Sequence, residues 1–223
     1  MVEVRPFRAI RYTEKAGDYE NLIAQPYDKI DQNMQKEYHR KSEYNYCRLT
    51  LPIEENRYEI SKQRISQWMN EGILKKDEEP AIFIYRQEFR LFGKVYTRTG
   101  FIAALHLHPY EENKVLPHEI THKGPKIDRL NMLRATQKNL ETGFLLYPDP
   151  EKMTINLFAK IAKTQPLIDT LDSLGVRNLI WRLTDPEKME LVQEAVTDKQ
   201  FVIADGHHRY ETAIAYRDER RRQ

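Results

Sequence analysis

Residues Phe201-Val202-Ile203-Ala204-Asp205-Gly206-His207-His208-Arg209-Tyr210-Glu211-Thr212-Ala213 decide how this chain is read. Phe201–Ala204 is a short apolar strand, Asp205-Gly206-His207-His208 a turn, and Arg209–Arg222 a helix. Just upstream, Arg177–Leu183 reads as a strand. Asp185-Pro186 then supplies an N-cap and a proline at the first helical position, opening a helix to about Val196. Strands that alternate with helices define the fold class as α/β, a mixed β-sheet with flanking helices.

The rest of the chain is read outward from there. Phe144–Tyr147 is expected as a short buried strand ended by Pro148-Asp149-Pro150, with a helix over Met153–Thr164 behind it. Pro125 begins a helix through about Asn139. Pro80 opens a β-rich stretch, Ala81–Phe89, Gly93 turns the chain, and Val95–Leu107 runs back, which makes a hairpin. Arg57–Gly72 is a helix, with Tyr58, Ile60, Ile65, Trp68 and Met69 recurring at helical spacing. Tyr44–Leu51 reads as a strand or loop, Asp31 caps a polar helix to about Lys41, and Val2–Ile10 is a loosely alternating strand. The change of layer falls between Gly93 and Pro109. It divides the chain into an N-terminal α+β region, residues 1–95, and a second region, residues 96–223.

Composition excludes several classes. Of the 223 residues, 40% are hydrophobic, which supplies a core and rules out wholesale disorder. Thirty-six basic against 34 acidic side chains leave +2, too little to draw nucleic acid or an anionic membrane. Cys47 is the single cysteine, so neither an internal disulfide nor a four-cysteine zinc site can form, and it reads as a packed thiol. The longest apolar run, near Phe101–Leu105, is far short of the roughly 20 residues a span needs. Met1–Pro6 has no apolar stretch of a signal peptide, so the expected compartment is the cytoplasm.

The turn after Phe201–Ala204 carries the strongest chemical signal. A helix start leaves main-chain N–H groups pointing outward, and its dipole favours an anion there. Gly206, His207, His208 and Arg209 stand at that point as phosphate-binding candidates, Arg209 being suited to bidentate contact with phosphate oxygens. Asp205, at the strand's carboxyl end, is placed to orient a hydroxyl or to hold Mg2+. The structural alternative is a strand–helix connection capped by Asp205, with solvated histidines.

A second signal is Leu116-Pro117-His118-Glu119-Ile120-Thr121-His122. It fits the His-Glu-x-x-His pattern of zinc peptidases, with Glu141 on offer as a third ligand. That pattern needs a helix with both histidines on one face, whereas Ile120 and Thr121 are β-branched and Gly124-Pro125 breaks a helix within a turn. The other reading makes Glu119 a loop carboxylate placed as a general base. His106 and His108, two apart on an expected strand, share one side and are read as a solvent-facing flank. The basic tail Arg217–Arg222 complements a helix C-terminus. Asp28, Asn45 and Arg48 are candidates for ligand contact, or for turn and strand ties.

The strings Gln25-Pro-Tyr-Asp28, Asn45-Tyr-Cys-Arg48-Leu49, Tyr85-Arg-Gln-Glu-Phe89, Gly100-Phe-Ile, His118-Glu-x-Thr121, Asp128-Arg129-Leu130 and Ala204-Asp-Gly-His-His-Arg-Tyr-Glu-Thr-Ala213 occur in this order. Together, over nearly the whole chain, they resemble the bacterial and archaeal family catalogued as domain of unknown function 1015. That family in turn resembles the ParB/sulfiredoxin superfamily, whose free L-serine kinases pair a Pro-His-Glu segment with an Asp-Gly-His-His-Arg loop. The resemblance implies a ParB/sulfiredoxin-like core in residues 96–223, with Glu119 as the base and Asp205 beside it. It also implies a loop at Gly206, His207, His208 and Arg209 that holds nucleotide phosphates; Asp28, Asn45, Arg48, His118 and Thr121 are the candidates for substrate contact. The donor implied is ATP or ADP with Mg2+. The chain stops inside the helix after the loop, where family members continue, so the expectation is either a sequence truncated at its C-terminus relative to the family or a homodimer or other partner that supplies the remaining part. The leading expectation is therefore a small-molecule kinase acting on the hydroxyl of a free amino acid, L-serine first. The alternatives are a non-enzymatic nucleotide-binding regulatory module of the ParB kind, and a zinc peptidase through His118-Glu119-x-x-His122.

Overall fold

The computed structural model describes residues 1–119 and 123–223. The chain runs β1 (Val4–Arg5), β2 (Ile10–Tyr12), α1 (Tyr19–Leu22), α2 (Gln32–Lys41), α3 (Cys47–Thr50), α4 (Arg57–Asn70), β3 (Leu74–Lys76), β4 (Ile82–Leu91), β5 (Lys94–Ile102), β6 (Ala104–Leu105), β7 (Val115–Leu116), α5 (Lys123–Thr136), β8 (Phe144–Leu146), α6 (Met153–Ile161), β9 (Ile168–Leu171), β10 (Arg177–Leu183), α7 (Pro186–Thr197), β11 (Phe201–Asp205) and α8 (His207–Arg221). Among the described residues no helix is long and apolar enough to cross a membrane.

The α/β reading holds, but the strands are shared among several small sheets rather than gathered in one. The longest sheet is antiparallel, in the order β5-β4-β10-β9, with Ile84 opposite both Phe101 and Trp181. Its inner face, with α6 and α7, forms one core around Ile82, Ile84, Phe158, Leu179, Trp181, Leu183 and Val192. The sheet that bears on function is mixed. Central β11 runs parallel to β7, with Phe201 opposite Val115, and antiparallel to β8, with Val202 opposite Leu146. Val2, Val4, Val115, Val196, Phe201, Ile203 and Tyr210 close a second core beneath it. A third core, around Leu22, Leu49, Ile65, Trp68 and Ile73, holds α4 against the N-terminal elements, and α5 packs between α4 and α8. The division expected between residues 95 and 96 falls inside β5, which pairs with β4 from Phe83–Ile102 to Leu91–Lys94.

Most expected elements are present; the differences have local causes. Val2–Ile10 is not one strand: β1 pairs with β6 and β2 with β3, and Pro6, which has no N–H to donate, lies between them. Tyr44–Leu51 carries the short helix α3 instead of a strand, because the Asn45 Oδ1 accepts the Cys47 N–H at 2.9 Å and begins a turn there. The Phe144–Tyr147 strand is not buried: Phe144 and Leu146 face outward, 38% and 52% exposed. The last helix begins at His207, two residues earlier than the sequence suggests, because Gly206 makes the whole turn at φ +91°. His106 and His108 do share a side, with rings 4.8 Å apart, but they lie beyond β6 and His108 is buried rather than solvent-facing. There Nδ1 of His108 meets Glu112 at 2.7 Å, and the Tyr210 hydroxyl donates to the His108 carbonyl at 2.8 Å.

Candidate functional site

Strands β7 and β11 are parallel, so both deliver their following loops to one edge of the sheet. The loop after β7 is Pro117-His118-Glu119; the loop after β11 is Gly206, leading into α8. Segments 89 residues apart in sequence therefore meet. The His118 N–H donates to Nε2 of His207 at 3.2 Å, the two rings stand edge to face at 4.5 Å, and a Glu119 carboxylate oxygen lies 3.7 Å from Nδ1 of His207. His207 is 2% exposed, whereas His118 and Glu119 are open to solvent.

That geometry sets the protonation of His207. Burial holds its pKa below the ordinary imidazole value, with Glu119 opposing and His118 assisting. The ring is then neutral at pH 7, and an Nε2 that accepts the His118 amide must leave the proton on Nδ1, facing Glu119.

On the other flank of Gly206 stands the segment that leads into β8. The guanidinium of Arg209 is bound by Asp205 Oδ2 at 2.6 Å and by the Thr142 carbonyl. Gly206 is confined: a Cβ there would stand 3.2 Å from the Arg209 guanidinium and 3.3 Å from the Gly143 Cα. Asp205 does not cap α8; its carboxylate holds Arg209 instead, one turn along. His208 is half-buried, its carbonyl accepting the Thr212 hydroxyl at 2.6 Å.

Behind Arg209 lies a polar cluster that sequence reasoning did not assemble. Glu141 accepts the Tyr27 N–H at 2.9 Å, and its other oxygen is 3.6 Å from Arg129. Arg129 is buried, stacks 4.0 Å over the Tyr27 ring, and also bonds Asp128 and the Thr50 carbonyl. Burial pushes the Glu141 pKa up; the Tyr27 N–H, Arg129 and Arg209 pull it back, and Asp28 adds to the rise. A cavity of about 40 Å³ lined by Arg129, Glu141, Arg209 and Thr212 lies here. The sequence signals were the strings Gln25-Pro-Tyr-Asp28 and Asp128-Arg129, which give no hint that they share Glu141.

The structure thus brings together His118, Glu119, Asp205, Gly206, His207 and Arg209, with the exposed Asp28 on the Glu141 side. Asn45 and Arg48 are engaged elsewhere. The fully buried Asn45 amide donates to the carbonyls of Asn21 and Ile23, and Arg48 donates to those of Ser42 and His39. Cys47 is fully buried, and burial pushes its thiol up to about 11, in keeping with a packed thiol. Thr121 and His122 lie outside the described residues. His118 and Glu119 precede α5, off the helix that the zinc-peptidase pattern requires, and Glu141 is held on the opposite flank by Tyr27 and Arg129.

The fold and this edge define a mixed α/β protein whose candidate site is a strand–turn–helix flanked by a carboxylate-bearing loop. The family model described as protein of unknown function (DUF1015) matches residues 4–223, and the chain belongs to that family. No curated protein and no solved structure matches.

Proposed function

We propose that the chain is a small-molecule kinase that transfers a phosphoryl group from ATP or ADP to the hydroxyl of a free amino acid, with L-serine the first acceptor to test. The observation that carries this reading is the meeting of Glu119 with the start of α8 through His118 and His207. Phosphoryl transfer asks a protein chiefly to position phosphates and to align a hydroxyl nucleophile with a base. The turn at Gly206 meets the first need. A helix start directs main-chain N–H groups at an anion, and Gly206, at φ +91°, makes the sharp turn that leads into it.

In this reading Glu119 accepts the acceptor's hydroxyl proton as the oxygen forms its bond to phosphorus, and the bond from phosphorus to the nucleotide's bridging oxygen breaks. The products are the phosphorylated amino acid and the shortened nucleotide, with the proton left on Glu119. Nδ1 of His207 lies 3.7 Å from that carboxylate. Asp205, half-exposed at the end of β11, is the carboxylate that fits Mg2+, and Mg2+ when bound neutralises phosphate charge. Arg209, held beside the turn by Asp205 and the Thr142 carbonyl, is the cation placed for a phosphate oxygen. His118, Thr121 and Asp28 are the acceptor contacts in the same reading.

Glu119→Gln is expected to abolish transfer while nucleotide affinity, measured by calorimetry, stays within about threefold of wild type. Full activity in that variant removes Glu119 as the base. Nucleotide binding without any transfer in wild type favours the regulatory module, which needs the turn but no base.

A further inference from the structure

We propose that His118, Glu119 and His207 form a binding site for a divalent transition-metal ion of the zinc class. Each offers one ligand atom, and the three atoms lie within 4.8 Å of one another. One ring nitrogen of His118, Nε2, is 3.5 Å from Glu119 Oε1, and Nδ1 of His207 is 3.7 Å from Glu119 Oε2. Ligand atoms about 2.1 Å from a tetrahedral ion stand about 3.4 Å apart. Each imidazole thus stands near that separation from the Glu119 carboxylate, but from a different oxygen of it, and rotation of the exposed Glu119 and His118 side chains brings one oxygen and both ring nitrogens around a single ion.

The donor set selects the ion. Two imidazoles and one carboxylate suit Zn2+ or Co2+, whereas Mg2+ and Ca2+ prefer shells of oxygen. Three protein ligands leave at least one coordination position for water or for a phosphate oxygen. The buried His207 is the rigid member, and His118 and Glu119 close on it from the loop.

Binding carries a defined cost. The His118 amide holds Nε2 of His207, so the Nδ1 that faces the cluster carries the ring proton. An ion at Nδ1 requires that proton to move to Nε2, with no net release, and the His118 N–H to withdraw. Metal occupancy and the resting loop are thus alternative states. An ion held here also takes up the Glu119 carboxylate, so if the kinase reading is right, zinc inhibits transfer; the site itself does not depend on that reading.

The test uses the intact 223-residue chain, stripped with a chelator and without nucleotide or acceptor. Zn2+ alone is titrated by calorimetry, and Co2+ alone is followed by its visible ligand-field absorption. One ion per chain is expected. His118→Ala and Glu119→Gln, both at exposed positions, are each expected to weaken Zn2+ binding about tenfold or more. His106→Ala is expected to leave it unchanged. Absence of stoichiometric Zn2+ binding overturns the proposal, and so does binding that neither exposed variant weakens. Because no transfer is measured, a failure here is distinct from a failure of the kinase reading.

Discussion

Replacing Gly206 with alanine probes the turn on which the candidate site is built. The residue sits at φ +91°, where a side chain costs about 1–2 kcal/mol. An added Cβ also stands 3.2 Å from Cζ and Nε of Arg209 and 3.3 Å from the Gly143 Cα. The guanidinium can move only by loosening its bonds to Asp205 and Thr142, and Gly143 is backbone. Crowding of this kind costs about 1–3 kcal/mol, so the variant is expected to lose about 2–5 kcal/mol in all. At about 2–4 °C per kcal/mol for a chain of this size, its Tm falls by roughly 4–20 °C. Urea unfolding followed by tryptophan fluorescence measures the free energy. Gly93→Ala is the reference. That glycine has φ +74° in the hairpin turn and nothing within 4 Å, so alanine there meets conformational cost alone, about 1–2 kcal/mol. If the two variants lose the same free energy, the close approach of Arg209 and Gly143 to Gly206 is refuted.

Other positions give separate tests. Asn45→Ala leaves the Cys47 N–H and the carbonyls of Asn21 and Ile23 without their side-chain partner in the core, and is expected to cost about 2–4 kcal/mol in urea unfolding. A loss below about 0.5 kcal/mol contradicts that role. Glu141 gives a pH signature. Burial raises its folded pKa above the unfolded value, so the folded state holds the proton more tightly, and stability from this group is lost as pH rises through the Glu141 range. Glu141→Gln has no proton to lose, so its stability relative to wild type is expected to improve from about pH 4 to about pH 7. A pH-independent difference refutes the raised pKa.

The legible parts of the fold were those with strong local chemistry. Asp31 accepts the N–H groups of Asn33 and Met34, Asp185 accepts that of Lys188, and both helices begin where those capping residues stand. The β4–β5 hairpin followed from β-formers on either side of Gly93. The partnering of short strands was not legible, because β1 and β2 are two and three residues long and their sheets are chosen by distant partners, β6 and β3. At the site, the Gly206 turn was visible as a pattern, and the loop carrying Glu119 was visible as a motif. Their contact depends on the parallel pairing of β7 and β11, two strands separated by most of a hundred residues, which no local periodicity encodes. The same holds for Glu141: its neighbours Tyr27 and Arg129 come from two other segments, and only the folded chain puts one carboxylate between them.

A donor–acceptor screen decides whether the protein transfers phosphoryl groups to free amino acids. The protein is incubated with Mg2+ and ATP or ADP against each free hydroxy amino acid, and product is detected by mass spectrometry. Phosphoserine is expected to accumulate with time in wild type and to be absent in the Glu119→Gln control. No phosphorylated amino acid with any donor, or equal product from both proteins, contradicts the kinase reading.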